Sequence, residues 1–232
     1  MPLVAPFETS FGRESERECI LIELESEGSI GYGECVASRD PGYSYETSGT
    51  AIHVLTDFIV PLILGSDLVD AANFQARVQG IRGHHLAKAG VEMALWDLLG
   101  KQDRKSLREL LGGKRSRVEV GVSIGIQDSP QSLVKQVEEY VKSGYARAKI
   151  KIKPGRDVED ASAVRRQFPD LRLQVDANSS YQLEDASNLR PLDDLKLLLI
   201  EQPLSEDDIW DHHTLQEHFK TPICLDESIV SP

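Results

Sequence analysis

The chain has 232 residues, 40% of them hydrophobic, enough for a packed core in one large domain or two modest ones. Its 26 basic and 38 acidic residues leave a formal net charge of −12, a poor footprint for gripping phosphate backbones, so nucleic-acid binding is not expected. A run of about 18 apolar residues, the length a membrane span needs, does not occur, and the opening MPLVAPFETS lacks the basic start and long apolar stretch of a secretion signal, so the expectation is a cytoplasmic protein without a membrane partner.

From Glu18 to Val36 the β-rich runs CILIEL and SIGYGECV flank the turn-like SEGS and predict an antiparallel hairpin. Residues 51 to 112 are helical in pattern. In LAKAGVEMALWDLLGK the apolar stripe Ala87, Val91, Ala94, Leu95 and Leu98 predicts a core-facing helix with a stop at Gly100 and Trp96 in the core. The first half therefore reads as an α+β unit.

After Gly113 the pattern alternates. VEVGVSIG is a strand, and Ser129 with Pro130 supplies an N-cap and first-turn proline for a helix ended by Gly144. ARAKIKI is the next strand, followed by a helix from Asp157 with Val158, Ala161, Val164 and Phe168 on one face; LRLQVDAN, LKLLLIEQP and TPICLDES are three further strands. Ser205 and Asp208 predict a capping box for the last helix, and DLVDAA and SEDDIWD read as helix-start carboxylates. No Gly-rich phosphate loop sits among these units, so the fold class is α/β: an incomplete (β/α) barrel of about five strands (residues 114–232), preceded by an α+β capping domain (residues 1–113).

Charged residues mark the strand ends at a fixed interval. Lys151, Asp176, Glu201 and Asp226 are each 25 residues apart, about one βα unit, so on adjacent barrel strands they arrive at one height, at the face where barrel active sites sit. Three facing carboxylates repel unless a cation neutralises them, and an all-oxygen set without His or Cys suits a hard ion, Mg²⁺ first and Mn²⁺ as a substitute. Lys149, Lys151 and Lys153 alternate along ARAKIKIKPG, so they share one strand face while Ile150 and Ile152 take the other. Beside a carboxylate cluster Lys149 and Lys151 are stabilised, whereas Lys153, next to Pro154, is expected in solvent; a wet sheet edge lined by all three is the competing reading.

Other polar residues read as structural. Cys19, Cys35 and Cys224 are an odd, widely spaced set without CxxC spacing and predict reduced thiols, Cys224 as a core thiol on the face of Asp226. The pairs His84–His85 and His212–His213 lie away from the strand ends and are expected on the surface or in helix packing.

The combination of Lys149-Ile150-Lys151, Asp176 in VDAN, Glu201 in IEQP and Asp226 in LDES resembles the enolase superfamily, in its muconate-lactonizing-type subgroup. PFETSFG, GECV, AKAGVEMALWDLLGK, GVSIGI, KIKPG and ICLDES are most similar to the o-succinylbenzoate synthase and N-succinylamino acid racemase branch. The resemblance spans essentially the whole chain. It implies a cap closing over a barrel that binds Mg²⁺ through Asp176, Glu201 and Asp226 and removes a proton from the carbon next to a carboxylate. It further implies Lys151 as acid/base, Lys149 as its assistant, Ser123 and Asn178 as holders of the substrate carboxylates, and cap segments near Phe7 to Gly12 and Ser38 to Tyr45 as cover for the substrate.

Against that pattern the chain is expected to be truncated at both ends. A usual member begins with a strand ahead of MPLV, so the cap lacks its usual first strand, and continues after ICLDES through three more strands, the sixth with a second lysine opposite the first. Racemisation needs a base on each face of the carbon, whereas dehydration to o-succinylbenzoate can use one lysine. The expected activity is therefore a Mg-dependent synthase or racemase acting on a small carboxylate; the alternative is an inactive remnant that folds and at most binds metal. Five strands cannot close a barrel, and the exposed flanks predict a homo-oligomer.

Overall fold

The structure is a computed structural model and describes residues 1–65 and 70–230. Two compact units emerge: Met1–Pro2 with Glu16–Ser116, and Leu3–Ser15 with Arg117–Pro232. Strands β1 (Pro2–Thr9) and β2 (Gly12–Glu16) pair with each other, and all but the outer ends of this hairpin belongs to the second unit. The expected division, with residues 1–113 wholly in the cap, places them otherwise.

In the first unit β3 (Ile20–Ser26) and β4 (Ser29–Cys35) form the predicted antiparallel hairpin. Its turn residues Glu27 (φ 51°) and Gly28 (φ 75°) are both left-handed, the twist that joins two strands most tightly. Ile20, Ile22 and Leu24 point to the core, while Leu21 faces out at 74% exposure. Helices α1 (Ser48–Val54) and α2 (Val60–Ile63) are joined by a π-helical turn, Leu55–Ile59; α3 is Ala71–Val78, α4 is His85–Asp103 and α5 is Leu107–Leu110. Asp70 of DLVDAA caps α3 by accepting from the Asn73 amide at 2.8 Å; Asp67 lies outside the described residues. The start of α4 is satisfied at a distance in sequence: the buried Glu46 carboxylate accepts from the amides of Leu86 (2.8 Å) and Ala87 (3.1 Å).

Strand β4 lies directly on α4 because both are built of small residues at the crossing. A Cβ on Gly31 would stand 2.1 Å from the Ala94 carbonyl oxygen, and one on Gly33 2.0 Å from that of Gly90. Gly100 does not stop α4. It is buried inside the helix, which turns at the left-handed Arg104 (φ 55°), and Lys105 N–H donates back to the Gly100 carbonyl at 2.9 Å. The glycine thus makes room for the closing turn, where a Cβ would meet the Lys105 carbonyl oxygen at 3.0 Å. Trp96 is half-buried and donates its indole N–H to Glu92 at 3.3 Å, so it sits at the margin of the core.

The second unit alternates strand and helix: β5 (Gly121–Ile124), α6 (Pro130–Lys142), β6 (Arg147–Lys151), α7 (Asp157–Gln167), β7 (Arg172–Asp176), α8 (Ala186–Leu189), β8 (Ile200–Glu201), α9 (Ile209–Glu217) and β9 (Ile223–Cys224). The strands form one parallel sheet in chain order, an incomplete (β/α) barrel of five strands among the described residues. Ala148, Ile150, Leu173, Val175 and Ile200 are buried against Leu133 and Val137 of α6, Ala161 and Val164 of α7 and Leu215 of α9. Each fully buried Val, Leu or Ile among them contributes about 1.5–3 kcal/mol. Because side chains alternate along a strand, that packing sends Lys149, Lys151, Gln174, Asp176 and Glu201 to the opposite face.

Local endings differ from the sequence pattern in three places. The strand predicted from VEVGVSIG pairs only over Gly121–Ile124, leaving Val118 and Val120 exposed. Helix α9 is capped by Asp208, which accepts from the Asp211 amide at 2.9 Å, while Ser205 contributes only its carbonyl to the preceding turn. Nothing in the pattern before Glu18 marks β1 and β2, since PLVAPFET has no strict alternation. The hairpin is fixed by contacts distant in sequence: Ile126 N–H donates to the Glu8 carbonyl at 2.8 Å, and Gly125 lets the strand approach, since a Cβ there would lie 3.0 Å from that oxygen.

Candidate metal centre

Register brings the marked residues level. Lys151 pairs across the sheet with Asp176, Asp176 with Glu201, and Glu201 with Cys224, so the first three stand side by side on the polar face. Asp226 follows two residues after Cys224, beyond the strand. It is held there by Gln202, fully buried and left-handed (φ 36°), whose side-chain oxygen accepts from the amides of Asp226 (2.8 Å) and Ser228 (3.3 Å). The result is a cluster in which oxygens of Asp176, Glu201 and Asp226 lie within 4.8 Å of one another. Three carboxylates at this spacing fit a hard divalent cation, and the set contains no soft ligand.

The two lysines supply positive charge beside it. Lys149 Nζ is 2.6 Å from Glu201 Oε1 and 2.9 Å from Asp176 Oδ2; Lys151 Nζ is 2.6 Å from Asp176 Oδ2 and 2.7 Å from Asn178 Oδ1. Burial opposes the Asp176 charge, but the two ammoniums outweigh it and hold this carboxyl below the usual range. Glu201 goes the other way: burial and the Asp176 charge raise it in spite of the Lys149 hydrogen bond. For Lys149 burial alone would lower the ammonium, yet its bonds to Glu201 and Asp176 place it well above the ordinary lysine range. Asp176 is therefore the stronger acid of the pair and Glu201 the weaker.

Asn178 is buried and clamped. Its amide oxygen faces the Lys151 ammonium, which can only donate, and its Nδ2 donates to Glu227 Oε1 at 2.9 Å, so the amide orientation follows from its neighbours. Ser123 pairs in register with Lys149 and shares the polar face, exposed. Lys153 is not merely solvated: its Nζ lies 2.9 Å from Glu8 Oε1 and ties the N-terminal hairpin to the barrel strands. His212 is buried, accepting from the Leu204 amide at Nε2 (3.2 Å) with Nδ1 2.6 Å from the Asp208 carbonyl, and His213 is exposed beside Glu217; both have the packing and surface roles expected. Cys19, Cys35 and Cys224 are free thiols, and burial pushes Cys224 up, away from thiolate chemistry.

Gln174, Gln202 and Glu227 complete the site without a clear sequence mark. Gln174 Nε2 donates to Glu201 Oε2 at 3.1 Å, and Glu227, raised by burial, receives the Asn178 amide. Gln202 follows Glu201 directly, so strand alternation points it away; its positive φ breaks the alternation and brings it back. Gln202→Ala is expected to weaken divalent-cation binding about 10- to 100-fold by freeing the Asp226 turn, measured by calorimetric titration with magnesium chloride.

Residues 1–112 match the family model described as mandelate racemase / muconate lactonizing enzyme, N-terminal domain, and residues 132–232 the model described as enolase C-terminal domain-like. The chain is 49% identical over 232 residues to an o-succinylbenzoate synthase of Geobacillus kaustophilus, covering all of this chain and 62% of that protein. It is 46% identical to an N-succinylamino acid racemase of an Amycolatopsis species, covering all of this chain and 63% of the relative. A crystal structure of an enolase-superfamily member from Listeria innocua Clip11262 superposes with a TM-score of 0.92 at 41% identity, over 98% of this chain and 62% of the other. The chain thus spans somewhat under two thirds of the length of the curated relatives it matches. With two matched domain models, a shared fold and the converging carboxylate cluster, the chain belongs to the enolase superfamily.

Proposed function

We propose that this chain carries the metal-binding and base-bearing part of an enzyme that removes the proton next to a carboxylate, as an o-succinylbenzoate synthase, an N-succinylamino acid racemase, or both. The single observation that carries this reading is an amine, Lys151 Nζ, within hydrogen-bond reach of one member of a converging three-carboxylate set. Relatives of both names at 49% and 46% identity support the substrate class, a small succinylated carboxylic acid.

In this reading Asp176, Glu201 and Asp226 hold Mg²⁺, with Mn²⁺ able to substitute. The ion, when bound, supplies positive charge that favours the negative charge developing on the substrate carboxylate as its neighbouring carbon loses a proton. Lys151, in its neutral form, takes that proton at Nζ; in the dehydration it then returns it to the departing hydroxyl. Lys149, bonded to two carboxylates, stays an ammonium and keeps a fixed charge beside the reacting carbon. Asn178 aims Lys151 through its amide oxygen, and donating to a substrate carboxylate would require its Nδ2 to give up Glu227. Ser123, open on the same face, is the better placed of the two to meet substrate.

No described helix is long and apolar enough to cross a membrane. In this reading the enzyme acts on a small molecule in the cytoplasm, and the exposed Val118 and Val120 beside β5 support self-association.

The test is solvent exchange. In D₂O with magnesium chloride, the protein is expected to exchange the α-proton of N-succinyl-L-phenylalanine, and Lys151→Ala to slow this by about 10²- to 10⁴-fold. Folded, magnesium-saturated protein that exchanges nothing would instead support the second reading, a non-catalytic ion-binding remnant.

A further inference from the structure

The turn after β7 is unusual for its backbone. Asn178 (φ 44°) and Ser179 (φ 59°) are consecutive left-handed residues without a glycine between them. Asn tolerates this conformation, but serine does so at a cost, and such a pair persists only when its surroundings over-determine it. Several ties are local to the sheet: Asn178 N–H donates to Asp176 Oδ1 at 3.1 Å, Ser179 N–H to the Gln202 carbonyl at 2.7 Å, and Tyr181 N–H to the Pro203 carbonyl at 3.0 Å.

The remaining tie comes from far away in sequence. The Ser10 hydroxyl, at the tip of the β1–β2 hairpin, lies 3.0 Å from the Ala177 carbonyl oxygen and 3.2 Å from that of Asn178. One hydroxyl proton thus bridges the two carbonyls that flank the start of the turn. The hairpin delivering it is itself anchored at Glu8, by main chain to Ile126 and by side chain to Lys153.

We propose that Ser10 is a positioning residue: it holds the left-handed Asn178–Ser179 turn so that the Asn178 amide stays aimed at Lys151. Its action passes through the turn and not through contact with substrate. The amide has no slack, being held by Lys151 on one side and Glu227 on the other. A small rotation of the turn therefore moves the lysine's partner directly.

Ser10→Ala and Ser10→Thr test this in the full chain with two readouts. In the protein without substrate, Ser10→Ala is expected to speed amide hydrogen exchange at Asn178 and Ser179 about 10-fold while Val175 in β7 is unchanged. In the α-proton exchange of N-succinyl-L-phenylalanine with magnesium chloride, which rests on the proposed function, kcat is expected to fall about 10-fold with KM within about twofold. Ser10→Thr, which keeps the hydroxyl, restores both. Unchanged amide protection in Ser10→Ala overturns the proposal, as does a rise in KM matching the fall in kcat, or a Ser10→Thr that behaves like Ser10→Ala. Should no variant, nor the parent, exchange the substrate proton, the functional reading fails, and the amide-exchange result decides the role of Ser10 by itself.

Discussion

Asp176→Asn is expected to abolish magnesium binding and to destabilise the second unit at the same time. Asp176 has no exposed surface, and a single oxygen, Oδ2, receives Lys151 at 2.6 Å and Lys149 at 2.9 Å. Replacing the carboxylate with an amide keeps the shape but leaves the buried Lys151 ammonium facing neutral groups and Lys149 with Glu201 alone. Breaking a buried ion pair in this way costs about 3–5 kcal/mol, more than an exposed pair could. The pH dependence has a definite sign. Since the folded-state value of Asp176 is depressed, its contribution is present above the unfolded carboxyl range and is lost as pH falls through the folded value. Calorimetric titration with magnesium chloride and urea denaturation at neutral pH measure the two effects. Wild-type affinity in this variant would show that the cluster is not the ion's site.

Gly33→Val is expected to unfold the first unit. A Cβ at this position would stand 2.0 Å from the Gly90 carbonyl oxygen and 2.7 Å from the Ala94 amide nitrogen. Both are backbone atoms of α4, so no side-chain rotation relieves the clash and the strand must lift from the helix. Overpacking a core ordinarily costs about 1–3 kcal/mol, and a rigid obstacle places this substitution at or beyond the upper end. Separation would also expose Cys35 and Val91, now buried at the same junction. Gly42, with nothing within 4 Å of an added Cβ, is the control, and Gly42→Ala should lie within about 0.5 kcal/mol of the parent. Trp96 fluorescence during urea denaturation separates the two outcomes.

The barrel strands and the acidic set are legible in sequence because they follow strict periodicities. Apolar alternation fixes which face of β6 and β7 is buried, and an even spacing leaves Lys151, Asp176 and Glu201 on the other. What escapes is held by contacts between residues far apart in the chain or by backbone that leaves the strand conformation. Gln202 reaches the site through a positive φ, which no alternation rule foresees, whereas Asn178, two residues after Asp176, is named by the family resemblance. The β1–β2 hairpin depends on Ile126 and Lys153, more than a hundred residues downstream, and Glu46 caps a helix that starts some 40 residues later. Gly100 misleads for a related reason: a glycine near a helix end commonly stops it, but here the terminus needs the space and not the flexibility.

The cross-strand pairing of Lys151 with Asp176 and of Asp176 with Glu201 is set by the ladder of backbone hydrogen bonds. Lengthening α7, or the segment between β7 and β8, would bulge into solvent and leave those pairs in place. Relatives are therefore free to vary the distance along the chain between these acids while the oxygens keep their separation in space.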